Sequence, residues 1–295
     1  MKIEVTLVRF AKSGDGDFIQ RIIHHKFHGF VHSTFNRTIN IQCLDRGDLY
    51  TIACKGIDNA PNTLIIDLEH FEEADIRVND IVSSDHSVLS IANKMSITMN
   101  GVKKWNCKLP KYPSEADVLI MNVSVMKQYI KLHGNNSRIE RAFKSGNPFD
   151  DEMSRILHER TQLLVSELQN KRISTAITHA TSLIGLGPGL TPAGDDFLVG
   201  LFTVMGIENH QYFSHQSFCE EVVLHAKALT NDISYMALAK AAVGQVRESI
   251  SDLMEALFRG SEEELLLALD RVLAIGSTSG TDIALGIVAG LEMNM

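Results

Sequence analysis

The spacing of hydrophobic and polar positions changes within the first half of this 295-residue chain. Up to about residue 110, short runs rich in β-branched and aromatic residues are separated by Gly, Asp and Asn. Such runs are typical of strands, and many short strands with little helix predict a small barrel or sandwich. From Ser114 onward the apolar residues recur with the period of a helix. The sequence therefore predicts an α+β protein, with a β-rich domain at 1–112 and an all-helical domain at 113–295.

The Pro-containing stretch 108–113 is the predicted linker between these domains. In the first domain, Asp15-Gly16 is interpreted as an ordinary turn. In the second, Gly-containing breaks separate the predicted helices. These helices cover 118–133, 137–145, 149–168, 172–183, 192–207, 215–229, 232–258, 261–274 and 281–292.

The stretch Gly185-Leu-Gly-Pro-Gly-Leu-Thr-Pro-Ala-Gly-Asp-Asp196 is the most informative motif. Its glycines and proline exclude regular structure, and Thr191-Pro192 predicts a helix start with Thr191 as the cap and Pro192 at the first helical position. Residues 197–207 carry no charge, which predicts a helix buried on all sides. A glycine loop before a helix favours an anion site, but a tight interhelical turn explains the same residues. Because two aspartates follow, a bare phosphate would need a metal ion or a basic side chain from elsewhere.

The motif occurs a second time. Residues 191–201 align without gaps to residues 277–287, which pairs Gly194 with Gly280, Asp196 with Asp282 and Gly200 with Gly286. Both copies place a polar, Gly-containing turn before an apolar helix with Asp in its first turn. The repeat predicts two related helix N-termini that face one site.

Composition narrows the class of protein. The formal net charge is −8, and all of that excess lies after residue 110, which argues against nucleic-acid binding through phosphate contacts. The four cysteines are scattered without a CxxC pair, as expected of free thiols in a reducing cytoplasm. No apolar run is long enough to span a bilayer. We therefore expect a cytoplasmic protein with neither a nucleic-acid nor a membrane partner.

Histidines offer a second candidate site. His24, His28 and His32 are spaced by four, as zinc ligands on one helix face would be, but this segment is interpreted partly as strand, which breaks the face. His32 and Ser33 are instead predicted to bind a ligand from an alternating strand, although a half-exposed strand accounts for them equally well. No Ser-His-Asp or Cys-His arrangement follows from the spacing.

The glycine motif resembles the signature of the AllH-like family, named for a subunit of oxamate carbamoyltransferase. The stretches Thr230-Asn-Asp-Ile-Ser234 and Gly276-Ser-Thr-Ser-Gly-Thr-Asp282 resemble two further motifs of that family, and His32-Ser33 in a β-rich N-terminal part also fits. The resemblance covers most of the chain and is strongest from about Gly185 to Gly290.

Membership would imply a part in anaerobic allantoin (purine) breakdown, in which oxalurate and phosphate give oxamate and carbamoyl phosphate. It implies companion subunits and a small anionic metabolite as ligand: phosphate, carbamoyl phosphate, oxamate or oxalurate. Two other functions stay open, namely a non-catalytic binding or scaffold subunit and a stand-alone enzyme on another acyl or carboxyl substrate.

On this hypothesis the backbone of the loop holds the anion, polar side chains orient it, and the three aspartates serve catalysis. Asp195 and Asp196 are candidate ligands of a metal, with magnesium as the candidate cofactor. The predicted catalytic residues are Asp195, Asp196 and Asp282. The predicted ligand-binding residues are His32, Ser33, Gly187, Gly189, Leu190, Thr191, Gly194, Asn231, Ser234, Ser279 and Gly280.

Overall fold

The computed structural model of the protein describes residues 6–135, 137–139, 146–209 and 216–293. The chain divides into two compact units, Met1–Cys107 and Lys108–Met295.

The first unit is an eight-stranded barrel with a ninth strand attached, which confirms the predicted β-rich fold. The strands are joined in the order β5-β4-β3-β2-β6-β7-β8-β1, and antiparallel pairing of β1 with β5 closes the ring. Closure requires a glycine, because a Cβ at Gly14 would lie 2.8 Å from the carbonyl oxygen of Thr63. The strands are β1 (Leu7–Asp15), β2 (His28–Thr34), β3 (Thr38–Cys43), β4 (Leu49–Cys54), β5 (Thr63–Ile66), β6 (Ile81–Asp85), β7 (Val88–Ile91), β8 (Met95–Thr98) and β9 (Lys103–Trp105), with a 3₁₀ turn at Glu72–Ala74.

One helix, α1 (Gly16–His24), belongs to the barrel core and was not predicted. Asp15 is the N-cap of this helix rather than part of a simple turn, since its Oδ1 accepts from the N–H groups of Asp17 and Phe18 at 2.8 and 3.0 Å. Phe18 is fully buried in the cluster that fills the barrel. The helix ends at His24 and β2 begins at His28, so the four-residue histidine spacing does not lie on one helix face.

The second unit is helical, as predicted. Its helices are α2 (Asp117–His133), α3 (Pro148–Gln169), α4 (Ile173–Leu183), α5 (Ala193–Met205), α6 (Gln216–Leu229), α7 (Asp232–Ala241), α8 (Glu248–Arg259), α9 (Glu262–Leu273) and α10 (Ser279–Glu292). Every residue of α5 is buried, which confirms the interpretation of the uncharged run. The helix α10 packs along α5 and supplies much of its cover.

Three predicted helix positions were wrong. The segment 232–258 is two helices, because the chain turns at Gly244, whose φ is +72°. Residues 137–139 form a turn, while the remainder of the predicted helix 137–145 lies outside the described residues. Pro192 is the N-cap of α5 and Thr191 does not cap it. Within the described ranges, no helix has the length and apolarity needed to cross a membrane.

Candidate functional site

The loop between α4 and α5 bends at three glycines in the left-handed region. Gly185, Gly187 and Gly189 have φ angles of +72°, +119° and +107°, which residues with a side chain rarely adopt. A Cβ at Gly187 would also lie 2.8 Å from the backbone nitrogen of Ala193. A Cβ at Gly189 would meet no atom closer than 3.8 Å. Gly187 is therefore required for space and conformation, and Gly189 for conformation alone.

This loop presents backbone donors to its surroundings. Within the part of the chain that the structure describes, the N–H groups of Gly187, Gly189 and Leu190 donate to no other group. The loop is held by Asn231, whose Nδ2 donates to the carbonyl oxygen of Leu190 at 2.7 Å. Asn231 is also the N-cap of α7. Open N–H groups just before a helix N-terminus suit an anionic ligand.

Asp195 ties this loop to the start of α7. Its Oδ1 accepts from the N–H of Gly185 at 2.8 Å, and its Oδ2 accepts from the hydroxyl of Thr230. Burial raises the pKa of Asp195, and these hydrogen bonds oppose the rise. Ser234, also buried, lies close enough to lower the Asp195 pKa, although its hydroxyl does not reach hydrogen-bonding geometry with any described group. Both Asp195 oxygens thus have structural partners.

Asp196 and Asp282 differ from Asp195 because one carboxylate oxygen of each accepts no hydrogen bond from a described residue. Their residues are 6% and 1% exposed, and in each the Oδ2 atom has no hydrogen-bond partner among the described residues. Burial raises the pKa of each to about 7, against the lowering effect of nearby hydroxyls. The charges of Asp282 and Asp195 raise the Asp196 pKa further. Two buried carboxyl groups that ionise near neutral pH are suited to hold or pass a proton.

The N-termini of α5 and α10 meet at this pair. The hydroxyls of Thr191 and Ser279 are 2.8 Å apart, one from each helix start, and both lie near Asp196 and lower its pKa. The two helices also contact each other reciprocally. A Cβ at Gly200 would overlap the backbone of Ile283, and a Cβ at Gly286 would overlap that of Phe197.

The internal repeat explains this arrangement. Gly200 and Gly286 are equivalent in the alignment of the two motifs, as are Phe197 and Ile283. The helix starts match as well, because the N–H of Gly194 donates to Leu186 and that of Gly280 donates to Ile275, each at 3.0 Å. The helices α5 and α10 thus begin in the same way and pack against each other through equivalent glycines. Their polar turns, and with them Asp196 and Asp282, come together.

Two protein-family models match this chain. The family described as oxamate carbamoyltransferase subunit AllH matches residues 183–291, which include both copies of the motif. The AllH family N-terminal domain matches residues 10–104, which form the barrel. The chain belongs to the AllH family. The family's description supports a role as an enzyme subunit. No solved structure matches the chain.

Not all the residues predicted from the AllH-like motifs have the same surroundings. Gly194 and Gly280 are packing positions: a Cβ would overlap the carbonyl oxygen of Leu183 in one case and of Val272 in the other. Their N–H groups are used within the loops. These two glycines shape the site through close packing, and a direct ligand contact from them stays a prediction.

His32 and Ser33 belong to a polar row on the barrel. The Nδ1 of His32 lies 3.2 Å from the hydroxyl of Ser33, which accepts from Asn40 Nδ2 at 3.0 Å, while Thr51 donates to Asn40 Oδ1 at 2.9 Å. Asn40 is only 5% exposed. This is notable because its neighbours on β3 are core residues that face inward, and side chains next to each other on a strand point to opposite faces. The row therefore joins β2, β3 and β4 through side chains, and a ligand role for His32 and Ser33 stays a prediction.

The AllH motifs did not point to a third polar segment. The hydroxyl of Ser137 donates to Oδ1 of Asp282, and the N–H of Asn135 donates to the hydroxyl of Thr281 at 3.0 Å. The positive charge of Arg138 lowers the Asp282 pKa, although burial outweighs it. Ser137 and Arg138 were missed because they were interpreted as the start of a helix at 137–145, and nothing in their spacing relates them to a residue more than a hundred positions later.

A metal site at Asp195 and Asp196 stays a prediction. Among the described residues, no group of three or more His, Cys, Asp or Glu side chains is arranged to hold a metal ion. Because the oxygens of Asp195 already accept hydrogen bonds, a metal here would rely on Asp196 and Asp282.

Proposed function

We propose that this chain is a subunit of an oxamate carbamoyltransferase-like enzyme of anaerobic allantoin breakdown, and that it binds an anionic substrate at the glycine loop. The enzyme would convert oxalurate and phosphate to oxamate and carbamoyl phosphate together with companion subunits. The observation that carries the proposal is that the two helix starts that come together carry open loop N–H groups, before α5, and two buried carboxyl groups that each have an oxygen without a described partner.

The two kinds of group complement different parts of such a substrate. The N–H groups of Gly187, Gly189 and Leu190 would hold a phosphate or carboxylate, or the oxyanion that develops at the carbamoyl carbon. The spare oxygens of Asp196 and Asp282 would accept from the N–H groups of a carbamoyl or ureido group. A buried carboxylate oxygen without a partner destabilises the protein, so a ligand that supplies a donor there gains affinity.

The reaction also needs a proton to move. A phosphate oxygen bonds to the ureido carbon of oxalurate, the bond from that carbon to the imide nitrogen breaks, and the nitrogen leaves as the amide of oxamate. The proton carried by hydrogen phosphate must end on that nitrogen. A carboxyl group with a pKa of about 7, such as Asp196 or Asp282, is suited to relay it.

The test is a thermal-shift titration of the purified chain with phosphate, carbamoyl phosphate, oxamate and oxalurate, with and without Mg²⁺. A ligand at a hundred times its Kd stabilises the folded state by about 2.7 kcal/mol, which raises the midpoint visibly. Gly189→Val should abolish the shift, because valine disfavours the φ of +107° that presents the loop N–H groups. The matched control is Gly146→Val, at a φ of +78° with equally open space around its Cβ.

The outcomes separate the alternatives. A shift that is lost in Gly189→Val and kept in Gly146→Val supports binding at the loop. A shift that both variants keep places the ligand elsewhere. No shift with any compound would overturn the proposal and favour a scaffold subunit, and turnover by the isolated chain would favour a stand-alone enzyme.

A further inference from the structure

Ser137 fixes one of the two oxygens of the Asp282 carboxyl group. Its hydroxyl donates to Oδ1 of Asp282, and its oxygen accepts from the N–H of Ile139 at 3.1 Å. Ser137 is 4% exposed. On the other side of the same turn, the N–H of Asn135 donates to the hydroxyl of Thr281 at 3.0 Å. The turn that carries Ser137 is therefore attached to the start of α10 at two points.

Asp196, the aligned aspartate of the first motif, has a hydroxyl from each copy of the repeat. Thr191 belongs to the same copy as Asp196, and Ser279 belongs to the other copy. Both hydroxyls lower the Asp196 pKa, because a donated hydrogen bond favours the ionised carboxyl. A complete repeat would give Asp282 the same two donors, one from its own copy and one from the other.

Asp282 cannot receive both hydroxyls from the repeat. Thr278, in its own copy, lowers the Asp282 pKa. The residue of the first copy that aligns with Ser279 is Ala193, which has no hydroxyl. Ser137 supplies the second donor instead, and its hydrogen bond also lowers the Asp282 pKa. This serine lies outside the stretches 10–104 and 183–291 that the family models match.

The hydrogen bond from Ser137 makes the two oxygens of Asp282 unequal. Oδ1 accepts the serine hydroxyl, whereas Oδ2 is buried and has no hydrogen-bond partner among the described residues. The carboxyl group cannot turn without losing the bond to Ser137, so the direction of Oδ2 is fixed as well. A carboxylate oxygen held in this way can accept a hydrogen bond from a ligand.

We propose that Ser137 is a positioning residue of the site: it holds Oδ1 of Asp282 so that Oδ2 is directed at an N–H group of the ligand. The inference rests on the proposed function, in which this oxygen accepts from a carbamoyl or ureido group. Ser137 acts through Asp282 and does not touch the ligand. It therefore affects ligands that carry an N–H donor and leaves other anions unaffected. Oxamate has such a donor in its amide, and inorganic phosphate has none.

The test is the affinity of the full chain for oxamate and for inorganic phosphate, measured by calorimetry. Ser137→Ala should weaken the binding of oxamate about threefold to tenfold, the usual net contribution of one hydrogen bond, because the Asp282 carboxyl can then turn away from the amide. The affinity for phosphate, which the proposed function assigns to the loop N–H groups, should stay at the wild-type value.

Three further variants make the comparison specific. Ser137→Cys keeps the size of the side chain with a much weaker donor, so it should show the same selective loss and serves if Ser137→Ala does not fold. Ser137→Thr keeps the hydroxyl and should bind both ligands nearly as the wild type does. Ser154→Ala is the matched control, because it removes another buried hydroxyl, one that donates to the carbonyl oxygen of Asp150 at 2.9 Å within α3, and it should bind both ligands with wild-type affinity.

The pattern across the two ligands decides the proposal. Weaker binding of oxamate alone, recovered in Ser137→Thr, supports a positioning role. Equal losses for oxamate and phosphate would show that Ser137 only maintains the structure, and wild-type affinity of the hydroxyl-free variants would show that it has no role. Either result overturns the inference and leaves the proposed function standing. If the wild-type chain binds neither ligand, the inference and the proposed function both fail.

Discussion

The buried pair Asp196 and Asp282 makes the stability of the folded chain depend on pH, and Asp196→Asn measures that dependence. Burial raises the pKa of Asp196 from 3.8 to about 7, so the unfolded chain releases this proton before the folded chain does. Folded-state stability is therefore highest when the carboxyl is protonated and falls as pH rises from about 4 to about 7. Above that range the loss is complete and constant.

The size of the effect follows from the shift. One pKa unit corresponds to about 1.4 kcal/mol, so the rise from 3.8 to about 7 costs the folded state about 4 kcal/mol at pH 8. At pH 4.5 the cost is about 1 kcal/mol by the same relation. An asparagine does not ionise and avoids the cost at both pH values. Relative to the wild type, Asp196→Asn should thus gain about 3 kcal/mol more stability at pH 8 than at pH 4.5.

The assay is urea unfolding of both proteins at the two pH values. Comparing variant and wild type at each pH removes the contributions of titrating groups that do not interact with Asp196, whereas Asp195 and Asp282 are coupled to it. The control is Glu152→Gln, because the hydrogen bond from Arg155 lowers the pKa of the exposed Glu152 carboxyl, and its replacement should give no relative gain at high pH. An equal effect of Asp196→Asn at pH 4.5 and pH 8 would show that Asp196 ionises at its ordinary pKa, and the reasoning from burial would be refuted.

Two further variants test the packing and the loop. Gly200→Ala places a Cβ against the carbonyl of Ile283. Urea unfolding should therefore show a loss of about 1–3 kcal/mol in the free energy of unfolding, as overpacking usually gives. Wild-type stability of this variant would mean that α5 and α10 separate easily. Asn231→Ala should cost about 1 kcal/mol for the lost cap of α7 and should also weaken ligand binding, since the tether to the carbonyl of Leu190 is lost. Ser261→Ala, which removes the cap of α9, is the control: it should lose as much stability as Asn231→Ala and keep the affinity of the wild type. Equal affinity of the two variants would contradict a role for the Asn231–Leu190 hydrogen bond in ligand binding.

The sequence predicts the half of the site that is local to the motifs. The run of glycines and the missing charges after Asp196 were enough to predict a loop followed by a buried helix. The alignment of Gly200 with Gly286 predicted that two helix starts are related, and in the structure the same glycines let those helices touch. Each of these features depends on residues close together in the chain.

The rest of the site and of the fold depends on contacts that the spacing of residues along the sequence does not indicate. Ser137 contacts Asp282, and the charge of Arg138 acts on that carboxyl group, only because the turn after α2 packs on the start of α10. The short helix α1 was missed although its nine residues are amphipathic, because the residue that starts it, the cap at Asp15, is also a common turn residue. The break at Gly244 was missed because a single glycine is compatible with a continuing helix.

The full burial of α5 has a consequence for synthesis of the chain. This uncharged helix leaves the ribosome well before α10, its main cover, has been translated. At about 5–20 residues per second, its apolar surface stays uncovered for several seconds. Chaperone binding to the nascent chain should therefore be strongest in that interval, and a stop codon placed before Ser279 should give an aggregating product that no ligand can rescue.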